Sequence, residues 1–285
     1  MKSARKELIY FFLIAFGWMW GLNLPRVLAS YELINLPPLL SAILQYTAVF
    51  GPGVAAFILT GIQSGKAGVK ALWRRGWKLN ASKEWLFPAL VLVPVAGLLT
   101  LGLLLLLGQP IYWEYALPPA MIVPIGLIIW LLGALPEEYG WRGYALDRLQ
   151  AHSNPLVAGL LLGALWGIWH LPLHFIAGTT QAAIPIWEYL AQTLVLSLLY
   201  TWLHNGSGGS VLIAGLFHAS GNLTGALIPY WVTGPGRWIS FGMLLVPLVV
   251  LLVRRSPYLQ ADQSQQAKAR NAEARIAGVR NSGGN

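Results

Sequence analysis

The sequence contains no cysteine. That excludes disulfides, thiolate metal sites and cysteine nucleophiles. Charge is also scarce. Asp, Glu, Lys and Arg make up 10% of the chain, against about 25% in a soluble domain. A surface that meets water on every side is therefore excluded as well. Apolar residues fill the deficit: 56% of the chain is hydrophobic, 14 residues are Trp, and the mean hydropathy is +0.59. This is the composition of an all-α, polytopic integral membrane protein.

Apolar runs of spanning length recur near 8–29, 39–62, 85–108, 118–136, 155–173, 186–204, 209–228 and 238–253. A span needs about 20 apolar residues, so the pattern predicts about eight transmembrane helices. Pro52, Pro88, Pro94, Pro124, Pro172 and Pro247 interrupt several of them. Such breaks are tolerated where neighbouring helices or water satisfy the freed carbonyls. The first run follows a basic start, as in a signal peptide. It is long for that, carries tryptophans and has no A-x-A site after it, so it reads as an uncleaved span.

The positive charges orient the bundle. With both termini cytoplasmic, segments 1–7, 63–84, 137–154, 205–208 and 254–285 lie inside and hold 17 of the 19 Lys and Arg. Only Arg26 and Arg237 fall outside, which is the positive-inside bias. The net charge of +9 is then a signal of topology and of membrane lipid, and no nucleic acid partner is expected. The stretch "GKAGVKALWRRGWKLNASKEW" interleaves Lys and Arg with Trp, which suits an interfacial amphipathic segment. Residues 1–256 form the transmembrane domain. Residues 257–285, poor in large apolar side chains, are expected to be a mobile cytoplasmic tail.

An ionisable residue within a span is a functional hypothesis by default. Glu137, Glu138 and Arg142 follow the fourth span, in "ALPEEYGWRGYALDRL". His170 and His174 end the fifth, in "GALWGIWHLPLHF". His218 and Asn222 sit in the seventh, in "IAGLFHASGNLTGAL". His152 and His204 stand at a loop and a span end. Glu138 and Arg142 are four apart and can pair on a helix. Glu137 then points about 100° round, to another face. His218 and Asn222 share a face, while Pro172 between His170 and His174 makes a shared face there doubtful.

Each residue also has a bland reading: a helix-end ion pair, an acid in a first helical turn, or a polar link between helices. Three such explanations at once are less economical than one site. The set suits water activation. A carboxylate in low dielectric can act as general base, a histidine can share the water, and His and Asn can donate to an oxyanion. Glu with two His is also the ligand set of a catalytic zinc, although no His-Glu-x-x-His signature is present.

These residues resemble the CAAX prenyl endopeptidase and bacteriocin-processing (CPBP, Abi) family of intramembrane proteases. The pattern E-E-x-x-x-R, F-x-x-x-H and H-x-x-x-N reads here as Glu137-Glu138 to Arg142, Trp166 to His170, and His218 to Asn222. Trp166 stands where the family usually has Phe. His174 lies outside the pattern.

The resemblance implies a protease in which Glu137 and His170 activate water and His218 and Asn222 form the oxyanion hole. Glu138, Arg142 and Trp166 support them. Glu137, His170 and His218 are the ligands only if a metal such as zinc is bound. The implied substrate is a peptide or prenylated protein reaching a site on the cytoplasmic side of a prokaryotic inner membrane. The alternatives are a catalytically silent binding or bacteriocin self-immunity protein on the same fold, and a transporter, against which the lack of repeats weighs.

Overall fold

A computed structural model describes residues 2–77 and 83–260. Positions 78–82 of the basic loop and the expected tail from 261 onward lie outside the described residues. The protein is all-α. The helices are α1 (Lys2–Ser30), α2 (Pro38–Ala48), α3 (Gly51–Arg75), α4 (Leu86–Leu106), α5 (Ile122–Gln150), α6 (Pro155–Trp169), α7 (Ile186–Gly206), α8 (Val211–Leu227), α9 (Gly234–Val253) and the short α10 (Pro257–Gln260).

Among the described residues, five helices are long and apolar enough to cross a membrane. The count is six if α2 and α3, bent by 49° at their junction, are taken together as one span. The protein is thus a polytopic membrane protein. The other two expected spans are helices as well, but α8 is only 17 residues long. The 21-residue α7 is interrupted by Glu188, Gln192, Thr193, Ser197 and Thr201. Its polar face is buried against protein, where the demand for apolar side chains that lipid imposes is relaxed.

The packing of α6 on α7 explains three of these residues, Thr193, Ser197 and Thr201. Gly159, Gly163 and Gly167 recur every fourth residue along α6, a small-residue stripe that lets helix backbones approach. Thr193, Ser197 and Thr201 answer it from α7. A Cβ on Gly163 would sit 2.8 Å from Cβ of Ser197 and 3.0 Å from the carbonyl oxygen of Thr193. Ser197 Oγ donates to the Gly159 carbonyl at 2.8 Å.

Helix starts follow ordinary capping rules. Asn154 accepts from the Val157 amide ahead of Pro155, and Ser210 caps α8 at the Ile213 amide. Both side chains satisfy an amide that the helix itself leaves unbonded.

Helix α5 corrects an expectation. The fourth span was expected to end at 136, with the acids beyond it. The helix instead runs unbroken from Ile122 to Gln150, so Glu137 and Glu138 lie near its middle. Two wide, π-type stretches, Ile129–Ala134 and Trp141–Leu146, flank them. Pro136 has no amide hydrogen to give the preceding turn. Widening that turn keeps the helix continuous, and such π-bulges often accompany functional sites.

Each end of the bundle is stitched by its own contacts. At one end the Ala177 amide bonds Ser30 Oγ, the Leu117 amide bonds the Ala226 carbonyl, and Arg237 pairs with Glu188. At the other, Arg148 reaches Glu7 and Gln63, Arg75 and His204 both engage Asp147, and Gln150 exchanges hydrogen bonds with Asn205.

Candidate active site

Glu137, Glu138 and Arg142 come from α5, Trp166 and His170 from α6 and its end, and His218 and Asn222 from α8. Of these, Glu137, Trp166, His170, His218 and Asn222 line one cavity of about 600 Å³. Glu138 and Arg142 are fully buried behind it.

The neighbouring acids are held differently. Glu137 accepts two indole hydrogen bonds at Oε2, from Trp166 at 3.1 Å and from Trp141 at 3.3 Å. Glu138 uses Oε1 for Arg142 Nη1 at 3.0 Å and for His218 Nδ1 at 2.9 Å. The i,i+4 pair read from the sequence is therefore present, and it reaches a third residue on another helix. The Arg142 guanidinium also lies 3.8 Å from the Tyr200 ring centroid, a cation–π contact that partly offsets the cost of burying it.

Both site histidines are oriented through Nδ1. In His170 this nitrogen lies 2.9 Å from the Trp166 carbonyl. A carbonyl only accepts, so Nδ1 carries the proton and Nε2 is left with its lone pair. In His218 the partner is the Glu138 carboxylate, which also accepts. Nε2 of that ring is then the nitrogen open to other partners, and it donates only when the ring carries both protons.

Aromatic rings frame the site. Trp166 stands edge-on to His170 and His218, with centroids 5.6 and 5.8 Å apart. Tyr189 packs on His170 at 5.5 Å, and Tyr200 on His218 at 5.9 Å. Sequence reasoning singled out neither tyrosine. They are eleven residues apart, three helical turns, and so share a face of α7. Trp141 was missed too, although its place four residues after Glu137 was a readable signal. His174 touches Tyr189 and is not part of the cavity wall. His204 belongs to the Asp147 cluster at the other end.

Among the described residues, no three His, Cys, Asp or Glu side chains form a group that could hold a metal ion. The conditional ligand set Glu137, His170 and His218 does not form such a group.

Residues 119–224 match a family model described as Type II CAAX prenyl endopeptidase Rce1-like. All seven residues singled out above lie in that stretch. Over that stretch the chain is similar to the Rce1-like type II CAAX prenyl endopeptidases. It is also similar to CAAX prenyl protease 2 of Methanococcus maripaludis, with 32% identity over 145 residues, 48% of this chain and 52% of that protein. The match thus spans about half the length of that curated relative.

Proposed function

We propose that the protein is an intramembrane endopeptidase of the CAAX-protease type, acting on a hydrophobic or lipid-modified peptide. One observation carries the reading: Glu137, His170, His218 and Asn222, from three helices, line a single cavity. The family match supports the same class of chemistry.

The steps follow from the donors and acceptors. A water between Glu137 and His170 gives a proton to the carboxylate. Oε2 already accepts two indole N–H groups, which leaves Oε1 to take that proton, while Nε2 of His170 holds the water. The resulting hydroxide adds to the scissile carbonyl carbon, and the carbonyl oxygen becomes an oxyanion. The Asn222 amide and Nε2–H of His218 donate to it. Each such donor is worth about 3 kcal/mol in a soluble protease. The Glu138 carboxylate is the counter-charge beside His218 when that ring carries both protons. Collapse of the oxyanion breaks the C–N bond, and the leaving amine takes the proton from Glu137.

The finer arrangement is part of the proposal. Residues 1–256 form eight spans in a prokaryotic inner membrane, both termini are cytoplasmic, and 257–285 is a tail without chemistry. The test is cleavage of a quenched farnesyl-peptide by the purified protein in detergent. Wild type cleaves and Glu137→Ala does not, while eluting as the same folded species. Equal cleavage by the two would overturn the reading.

A further inference from the structure

We propose that the cavity opens on the extracytoplasmic face, and that its substrates are exported or membrane-anchored peptides whose cleavable segment lies outside the cytoplasm. The chemistry rests on the peptidase reading. The sidedness rests on geometry of its own.

The two ends of the bundle are distinguishable in the structure. One carries the Ser30–Ala177, Leu117–Ala226 and Glu188–Arg237 contacts. The other is closed by the Glu7–Arg148 and Arg75–Asp147–His204 clusters. The cavity reaches the first end. From His218 and Glu137 at mid-bundle, its wall continues through Asn222 and Tyr189 to Tyr115, Gln181 and Tyr230. The last three belong to the connections between α4 and α5, between α6 and α7, and between α8 and α9. Among the described residues, none in the connections at the second end lines the wall.

Charge tells which end faces the cytoplasm. Lys66, Lys70, Arg74, Arg254 and Arg255 are exposed at the second end, and positive residues mark the cytoplasmic side. At the first end, exposed Glu32 and Glu114 are accompanied by just two cations among the described residues, and both are turned inward. Arg237 is paired with Glu188. Arg26 is buried among Asn23, Ser41 and Gln45. The cavity mouth thus lies away from the basic face. This departs from the expectation that the site serves the cytoplasmic side. A cytosolic tail would have to cross the packed half of the bundle that holds Arg75, Asp147 and His204.

The natural absence of cysteine makes the test direct. Ala183→Cys, exposed at the mouth end but outside the wall, and Lys70→Cys, exposed at the basic end, are made in the full chain. Each is treated in intact cells with a membrane-impermeant maleimide. We expect Ala183→Cys to be labelled in intact cells and Lys70→Cys only after permeabilisation. The reverse pattern overturns the proposal. In a second arm, a quenched lipid-anchored peptide is added to sealed right-side-out and inverted vesicles, with Glu137→Ala as the blank. Cleavage is expected about ten-fold faster right-side-out, since a polar backbone does not cross hydrocarbon unaided. Faster cleavage in inverted vesicles overturns the proposal. If vesicles and detergent-solubilised protein both leave the peptide intact, the peptidase reading fails, while the labelling pattern still decides the face.

Discussion

Oε1 of Glu138 lies 2.9 Å from Nδ1 of His218, across the boundary between α5 and α8, and the same oxygen holds Arg142 at 3.0 Å. One carboxylate thus fixes a histidine of the cavity wall and neutralises a fully buried guanidinium. Removing one partner of a buried ion pair leaves the other charge uncompensated, at about 3–5 kcal/mol. Glu138→Gln is therefore expected to lower the melting temperature in detergent and to abolish peptide cleavage, although Glu138 does not line the cavity. A variant with wild-type melting and only its kcat reduced would assign Glu138 to chemistry alone.

Trp166 is expected to act through Glu137. Its indole is one of two donors on Oε2. Phe, the usual residue at that place in the resembling family, keeps a ring and loses the donor. A hydrogen bond to a charged group contributes about 1.5–3 kcal/mol. Trp166→Phe should lower kcat by about ten-fold, where each 1.36 kcal/mol is a factor of ten, with little change in KM. A selective rise in KM would instead mean that the indole shapes the pocket.

The α6–α7 seam has no room for a methyl group. Gly163→Ala places its Cβ against backbone atoms of Thr193 and Leu194 as well as the Ser197 side chain, and overpacking costs typically about 1–3 kcal/mol. Thermal unfolding in detergent should shift down for Gly163→Ala. For Gly102→Ala it should not, because nothing lies within 4 Å of an added Cβ there. Equal shifts for the two would deny the seam its role.

Cleavage is expected to survive a zinc chelator. Among the described residues, the three conditional ligands do not form a metal-binding group. Chelator-treated and untreated wild type should give the same kcat/KM. Loss of activity that added zinc restores would count against the glutamate–water route.

The sequence made some layers legible and hid others, for identifiable reasons. Charged residues are so rare in the spans that Glu137, His170 and His218 stood out, and the cavity gathers them. The i,i+4 spacing of Glu138 and Arg142 was enough to read their pair. The reach of Glu138 to His218 was not readable, because contact between helices 80 residues apart leaves no local pattern. The unbroken course of α5 was hidden by Pro136 and the acids, which together look like a helix end. Only the widened turn beside the proline resolves that. Helix α7 read as an ordinary span, yet its Thr193, Ser197 and Thr201 belong to the glycine seam, and Tyr189 and Tyr200 came with it unnoticed.

That seam also assigns the moving parts. Two helices in backbone-to-backbone contact cannot slide without lifting their glycines out of register. The wall carrying Trp166, His170, Tyr189 and Tyr200 therefore behaves as a single slab. Any give in the cavity is then left to the walls outside the seam, among them α8 and the lipid-facing α9.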